Sequence, residues 1–104
     1  MANTYDICIR GAGITGRALA LMLARERLRV ALVAAPAAPT VTGHSDVRAY
    51  ALNAASRTLL ESLRCWPDEV HATPVQHMQV HGDDGGAVHF DASSPASPAL
   101  TWIV

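Results

Sequence analysis

Hydrophobic and polar positions divide the first third of the chain into three elements. The apolar pattern of Tyr5–Ile9 predicts a short buried strand, and strong helix formers from Ile14 to Arg27 predict a helix. The β-branched and apolar residues of Arg29–Val33 predict a second strand. A strand, a helix and a further strand form a βαβ unit, whose strands should be parallel. Because residues 18–24 are apolar nearly all round, we expect this helix to be covered on more than one side.

A loop and a second helix follow this unit. Prolines at 36 and 39 predict that residues 34–45 form a loop. A stripe of leucines predicts a helix from about Ala54 to Leu63, and Asn53 is placed to cap its first turn.

The rest of the chain has the pattern of β-structure. Residues 75–80 alternate with period two, residues 82–86 (GDDGG) predict a turn, and residues 87–91 predict the return strand of a hairpin. After a flexible connection at 92–98, a further apolar run begins a strand at the end of the sequence. Parallel sheets normally need cover on both faces, and only two parallel strands are clear. We therefore expect an incomplete domain: the front piece of a larger protein, or a truncated reading frame.

Three glycines lie between the first strand and the first helix in the spacing G-x-G-x-x-G. Gly11 would allow the tight turn, Gly13 would let a pyrophosphate approach the backbone, and Gly16 would let the helix pack close to the strand. Free N–H groups and the helix dipole favour an anion there. The alternative is a glycine-rich turn without a ligand. The context favours a dinucleotide site on six consecutive residues: Gly11, Ala12, Gly13, Ile14, Thr15 and Gly16.

One part of the dinucleotide pattern is missing. The second strand should end in an Asp or Glu that holds the ribose hydroxyls. Those positions are Ala34 and Ala35, and no acidic residue occurs between Glu26 and Asp46. The ribose is therefore held by backbone and water, or the cofactor is held weakly.

Composition excludes several classes of function. The 104 residues suffice for one small domain, and the net charge of −1 comes from 8 basic and 9 acidic side chains without a basic patch. Nucleic-acid binding therefore has no electrostatic support. The apolar run 18–24 is too short to span a bilayer, and the charged residues after it disfavour a secretory signal. Cys8 and Cys65 are predicted to be free thiols.

The predicted hairpin carries three histidines, His77, His81 and His89. Period-two spacing places His77, Gln79 and His81 on one face, but no carboxylate or cysteine completes a ligand set in the sequence pattern. We predict exposed strand histidines and no metal site. No acid/base pair or nucleophile constellation stands out, so no catalytic residue is assigned.

Two stretches, YDICIRGAGITGRALALMLARERLRVALV and DVRAYALNAASRTLLESLRCW, carry a family resemblance over essentially the whole chain. The chain resembles the N-terminal part of the FAD-dependent aromatic hydroxylases of the ubiquinone-biosynthesis (2-polyprenylphenol hydroxylase) type, relatives of p-hydroxybenzoate hydroxylase. The first stretch fits many FAD and NAD(P) enzymes. The D-x-R-x-x-A-L segment at Asp46–Leu52 is much more specific.

The resemblance implies an α/β fold with a Rossmann-like FAD/NAD(P)-binding unit, followed by a helix and a hairpin of the substrate-side sheet. Residues 1–74 would belong to the FAD-binding domain and residues 75–104 to the start of the substrate-side sheet. The glycines would take the FAD pyrophosphate, and Arg48 would lie along the cofactor, a role that suits a guanidinium. Asp46 would fix the loop, and the alternative for Arg48 is a solvated loop arginine.

The resemblance also implies an activity. The parent enzyme would be a monooxygenase that hydroxylates a phenolic quinone precursor with NAD(P)H and O₂, whereas these 104 residues alone are expected to be inactive. Its partners would be a small aromatic substrate and other copies of itself, at a cytoplasmic site near the inner face of the membrane. The alternatives are a non-catalytic nucleotide-binding fragment and an NAD(P)-binding oxidoreductase domain.

Overall fold

The computed structural model describes residues 2–36 and 47–104. The chain forms two compact units, Met1–Asp46 and Val47–Val104. Together they give a mixed α/β structure with one parallel βαβ unit and small antiparallel sheets. This architecture is consistent with an incomplete Rossmann-like fold.

The first unit is the predicted βαβ arrangement. It contains β1 (Ile7–Arg10), α1 (Ile14–Arg25) and β2 (Val30–Val33). The two strands are parallel, with Ile7 opposite Val30 and Arg10 opposite Val33. The predicted strand–helix–strand order is thus confirmed.

Helix α1 is less covered than its apolar composition predicts. Leu19, Leu21 and Met22 are each 43% exposed, and α1 has no buried residue. The expectation of cover on more than one side is therefore wrong for the described residues. The helix packs on one face of β1 and β2, and no described residue buries its other side.

The predicted ends of these elements shift by one or two residues. β1 covers Ile7–Arg10 instead of Tyr5–Ile9, because pairing with β2 begins at Ile7. Helix α1 ends at Arg25 instead of Arg27, and Arg27 has a left-handed φ of 62° that cannot continue a helix.

An ion pair joins the residues that precede the two strands. The Arg29 backbone N–H donates to Asp6 Oδ2 at 2.7 Å, and Arg29 Nη2 lies 3.1 Å from Asp6 Oδ1. In return, the Asp6 backbone N–H donates to the Arg29 carbonyl at 2.8 Å. The side-chain hydrogen bond from Arg29, followed by its backbone N–H, lowers the pKa of Asp6 below the ordinary value of 3.8.

The Asp6 carboxylate makes the stability of the first unit depend on acid pH. The pKa of Asp6 is lower in the folded state than in the unfolded chain. Its contribution to the free energy of unfolding is therefore present above pH 3.8 and is lost as the pH falls through the pKa of the folded state. Asp6→Asn keeps an acceptor for the Arg29 N–H and removes the charge. We expect this variant to be less stable than the native chain at pH 7 and equally stable at the acid end of the transition.

Urea titrations at pH 7, 5 and 2.5, followed by amide exchange in β1 and β2, measure this difference. Asp83→Asn, in the turn of the second unit, is the matched control and should leave β1 and β2 unchanged. A destabilisation by Asp6→Asn that stays constant down to the lowest pH would show that the charge is not the cause.

The second unit contains one helix and five short strands. Helix α2 (Ala54–Ser62) ends one residue before the predicted Leu63, and the Asn53 Oδ1 accepts from the Ser56 N–H at 2.9 Å, which confirms the predicted cap. A 3₁₀ turn at Glu69–His71 follows. The strands are β3 (Ala51–Leu52), β4 (Thr73–Val75), β5 (His77–His81), β6 (Ala87–Asp91) and β7 (Thr101–Ile103).

The terminal strand β7 is the centre of a three-stranded antiparallel sheet in the order β3-β7-β4. Leu52 on one side and Pro74 on the other both lie opposite Trp102. Pro74 is tolerated because β4 is an edge strand, where the missing N–H costs no ladder hydrogen bond. The sequence predicted β7, but β3, β4 and the 3₁₀ turn were missed.

Strands β5 and β6 form the predicted hairpin as a separate two-stranded sheet. The first strand begins at His77 instead of residue 75, because Val75 pairs with β7 as part of β4. Gly85 turns the chain with a φ of 79°. One face of the hairpin carries partly exposed apolar side chains, Met78, Val80, Val88 and Phe90.

The buried core of the described residues lies in the second unit. It consists of Leu63, Ala72, Ala99 and Trp102. Trp66 packs edge-on against Trp102 with ring centroids 5.9 Å apart. The indole of Trp102 is thus the largest side chain of this core.

Candidate functional site

The glycine-rich turn leaves β1 through a backbone conformation that requires glycine. Gly11 has a φ of +114°, which side-chain-bearing residues rarely adopt. Its N–H donates to the Val33 carbonyl at 2.8 Å, so the turn starts beside the end of β2. The predicted role of Gly11 in a tight turn matches this geometry.

Gly16 brings α1 into direct contact with the turn. A Cβ atom at this position would lie 1.9 Å from the Gly11 carbonyl oxygen and 3.6 Å from Ile9 Cγ2. No side chain fits at the first of these distances. The close approach of helix and strand that the sequence predicts for Gly16 is present.

Gly13 has a different environment, because the space beside it is open. It is the N-cap of α1 with φ −76° and ψ −174°, and a Cβ there would meet no heavy atom within 4 Å. No side chain caps the helix, and its first turn contains no acidic residue. The first amides of a helix lack intrahelical acceptors, so those of Ile14, Thr15 and Gly16 form a site suited to an anion.

Arg17 places a positive charge beside the same turn. Its Nε donates to the Ala12 carbonyl oxygen at 2.7 Å, which folds the side chain back over the residues between the first two glycines. Sequence reasoning missed this contact. The only available signal was an arginine directly after the third glycine of the motif.

A groove lies at the carboxyl ends of β1 and β2. It has a volume of about 500 Å³ and is lined by Arg10, Gly11, Val33, Ala34, Ala35 and Pro36. The carboxyl end of a parallel sheet is where α/β folds bind their ligands. The positions that usually supply the ribose-binding acid are alanines, and the charged residue of the groove is Arg10, which sequence reasoning also missed.

Arg48 belongs to the second unit. Its guanidinium carbon lies 5.9 Å from the centroid of the Tyr50 ring. The backbone of Tyr50 is paired with Val104 through two hydrogen bonds of 2.9 Å, which ties this segment to the three-stranded sheet. Asp46, the other polar residue of the D-x-R segment, lies outside the described residues. The role of Arg48 toward a cofactor stays a prediction.

The second unit also contains an aromatic pocket that the sequence did not indicate. The Arg57 guanidinium carbon lies 5.0 Å from the centroid of the Trp66 ring and 4.6 Å from that of Trp102. Glu61 lies one turn further along α2, and its Oε1 is 2.7 Å from Arg57 Nε. The pocket, of about 450 Å³, extends from this cluster to Glu69 and Gln76.

The histidines of the hairpin are exposed, as predicted. His77 Nδ1 lies 2.6 Å from Asp91 Oδ1 on the opposite strand, a pair that becomes visible only once the register is known. His71 makes a similar contact with Asp68 in the 3₁₀ turn. Within residues 2–36 and 47–104, no three His, Cys, Asp or Glu side chains gather in a group that could hold a metal ion.

No helix among the described residues is both long and apolar enough to cross a bilayer.

Comparison with known proteins adds an independent observation. No family model matches the chain. The 3-demethoxyubiquinol 3-hydroxylase of Escherichia coli (strain K12) is 36% identical to it over 104 aligned residues. The alignment includes 95% of this chain, which spans only 26% of the length of that enzyme. The sequence and the glycine-rich βαβ unit therefore agree that this chain is similar to the N-terminal part of a ubiquinone-biosynthesis hydroxylase.

Proposed function

We propose that the chain is the FAD-binding N-terminal portion of a flavin-dependent monooxygenase that hydroxylates a phenolic quinone precursor with NAD(P)H and O₂. The open space beside Gly13, at the uncapped start of α1, is the observation that carries this proposal. The similarity to a quinol hydroxylase supports the choice of substrate class. In the proposed full-length enzyme, residues 1–74 belong to the FAD-binding domain and residues 75–104 begin the substrate-side sheet.

The residues of the turn fit a diphosphate. Gly11 and Gly16 fix the backbone, while Gly13 leaves a cradle that any larger residue would fill. The amides of Ile14, Thr15 and Gly16 would donate to phosphate oxygens, and Ala12 forms the wall between the first two glycines. The helix dipole contributes about 0.3–1 kcal/mol to the binding of a negative charge at such a terminus.

The proposed cofactor brings the redox chemistry and the chain holds it. FAD would accept reducing equivalents from NAD(P)H and activate O₂ toward the ring. In this proposal, the glycine turn binds the pyrophosphate and Arg48 lies along the cofactor, where its planar guanidinium can pair with phosphate oxygens. The proposed location is cytoplasmic, near the inner face of the membrane where lipid-tailed quinone precursors reside, with a homo-oligomer as the assembled form.

Gly13→Ala should separate ligand binding from folding. A methyl group at Gly13 meets no protein atom within 4 Å, so the fold should persist. It occupies the space proposed for the pyrophosphate, and overpacking of this kind costs about 1–3 kcal/mol. We therefore expect FAD to bind roughly tenfold more weakly or worse. Titration of purified chain with FAD, followed by flavin fluorescence and calorimetry, gives the affinity.

The matched control is Gly86→Ala in the hairpin turn, where an added Cβ also meets nothing within 4 Å. This variant should bind FAD like the native chain. The proposal fails if the native chain does not bind FAD at millimolar concentration, or if Gly13→Ala binds it unchanged.

The alternative is a nucleotide-binding fragment without catalytic activity, or an NAD(P)-binding oxidoreductase domain. Both would use the same glycine turn, and the oxidoreductase domain differs from the proposal in its ligand. Competition between FAD, NADH and NADPH for the native chain therefore distinguishes the oxidoreductase domain from the proposal. A flavin preference favours the monooxygenase, whereas displacement of FAD by equimolar NADH or NADPH favours the oxidoreductase domain.

A further inference from the structure

We propose that Arg17 is a phosphate-binding residue of the nucleotide site, and that it supplies affinity that the missing acidic residue at the end of β2 does not. Its guanidinium holds the Ala12 carbonyl with one N–H group and donates to the diphosphate of the cofactor with others. This inference rests on the nucleotide site proposed above and names a further residue that holds the cofactor there.

The side chain of Arg17 is directed back toward the glycine turn. Arg17 is the fourth residue of α1, and side chains of an α-helix lean toward its N-terminus. Its Nε donates to the Ala12 carbonyl oxygen at 2.7 Å, which fixes the guanidinium beside the residue that precedes Gly13. Gly13 is the position where the space for a diphosphate is open. The positive charge of Arg17 therefore lies next to the proposed cradle.

Arg17 also engages the carbonyl groups of the two residues at the cradle. Its backbone N–H donates to the Gly13 carbonyl oxygen at 3.0 Å, as in any helix, whereas its side chain holds the carbonyl oxygen of Ala12. A carbonyl oxygen is an acceptor with partial negative charge, which disfavours an anion nearby. Because both oxygens accept from Arg17, their charge is partly balanced. The arginine side chain is what provides this for Ala12.

The terminal Nη groups of Arg17 are available to a ligand. The residue is exposed, and the contact of Nε with Ala12 is the hydrogen bond that its side chain makes within residues 2–36 and 47–104. A guanidinium has five N–H donors, so the other four are uncommitted in this part of the chain. Arg17 is the charged residue in the lining of a groove of about 600 Å³ between α1 and β2, whose other lining residues are alanines, leucines and a valine. No carboxylate in this lining balances its charge.

A diphosphate is the ligand group that fits this arrangement. Phosphate oxygens accept hydrogen bonds and a guanidinium only donates them, and such charge-assisted bonds are about twice as strong as neutral ones. Ribose hydroxyls are usually held by a carboxylate at the end of the second strand, where this chain has Ala34 and Ala35. The adenosine ribose of FAD carries free hydroxyls, so Arg17 acts on the diphosphate and leaves the ribose to the backbone and water.

Titration of the purified chain with FAD by calorimetry at low and at high salt tests this role. Arg17→Gln should weaken the binding of FAD about tenfold at low salt, the effect of one charge-assisted contact. It should also reduce the salt dependence of the affinity, because salt screens the charge that this variant removes. Arg17→Lys keeps the charge, so it should recover part of the affinity and the native salt dependence.

Arg25→Gln is the matched control, because it makes the same change of charge at the last residue of α1, about 12 Å further along the helix. This variant should bind FAD with the native affinity. Amide exchange at Gly11, whose N–H donates to the Val33 carbonyl, shows whether the turn keeps its shape in Arg17→Gln, and it should stay near the native rate. A loss of affinity with unchanged salt dependence, or with faster exchange at Gly11, overturns the inference, because Arg17 would then act only by supporting the backbone.

The same titrations separate this inference from the proposed function. If the native chain binds FAD and Arg17→Gln binds it equally well, the glycine turn holds the cofactor and only the role of Arg17 is wrong. If the native chain does not bind FAD at millimolar concentration, the nucleotide site itself is wrong, and the inference about Arg17 falls with it.

Discussion

Replacement of Trp102 by alanine should lower the free energy of unfolding of the second unit by about 3–5 kcal/mol. Trp102 is 6% exposed and is the largest of the four buried side chains. It lies on the central strand β7, packs edge-on against Trp66, and supports the guanidinium of Arg57. Its removal would leave a cavity bordered by the Trp66 ring and the Arg57 guanidinium, each of which would have lost one contact.

This loss is large compared with the total free energy of unfolding of a small domain. Natural domains are stable by about 5–15 kcal/mol, and a unit with so few buried residues is expected near the low end. Trp102→Ala should therefore abolish the cooperative unfolding of the second unit, whereas Trp102→Phe should retain part of it. Urea unfolding followed by the fluorescence of Trp66 measures the effect, since that indole remains in both variants.

Val70→Ala serves as the control for this series. Val70 is 81% exposed, and substitutions at such positions usually change stability by less than about 0.5 kcal/mol. If Trp102→Ala were no more harmful than Val70→Ala, the three-stranded sheet would not depend on the aromatic contact. The edge-on packing of Trp66 would then be incidental.

Local patterns were sufficient to predict the βαβ unit and the second helix. The strand–turn–helix sequence around Gly11 and the cap at Asn53 are both defined by residues within a few positions of each other. Such signals survive even when the surrounding domain is incomplete. The prediction that α1 is covered on more than one side was wrong, because coverage depends on other elements. The apolar residues are present, but the elements that could bury them are not among those described.

The three-stranded sheet could not be predicted in the same way. Strands β3 and β4 have two and three residues, too few for a period-two pattern. They exist because β7 pairs with both of them in the folded unit: Leu52 and Trp102 are 50 residues apart in the sequence, and Pro74 and Trp102 are 28 residues apart. Pairing between residues so far apart produces no recognisable pattern in the local sequence.

The candidate site also has one part that local patterns predict and one part that they do not. The three glycines follow from their spacing, and the structure gives each of them a different environment. Arg10 and Arg17 flank the motif without being part of it, so no pattern singled them out. Their positions depend on the parallel register of β1 with β2 and on the turn of the backbone at Ala12.

Gly16→Ala should destabilise the first unit, against the general preference of helices for alanine. In an exposed helix interior, replacement of glycine by alanine stabilises by up to about 1 kcal/mol. Here the new Cβ would lie 1.9 Å from the Gly11 carbonyl oxygen and 3.1 Å from its carbonyl carbon. Both are backbone atoms, which cannot move aside as the end of a flexible side chain can. Overpacking of this kind costs about 1–3 kcal/mol, so the loss outweighs the helical gain.

The sign of the change is the decisive measurement, with Gly13→Ala as the matched control three residues earlier in the same turn. Amide hydrogen exchange at Ile7 and Gly11, whose N–H groups donate to the Arg29 and Val33 carbonyls across the parallel pair, reports the stability of this unit without interference from the other. Exchange should accelerate in Gly16→Ala and stay near the native rate in Gly13→Ala. If Gly16→Ala exchanged more slowly than the native chain, helix propensity would dominate, and the close contact of α1 with Gly11 could not be what holds the helix against the sheet.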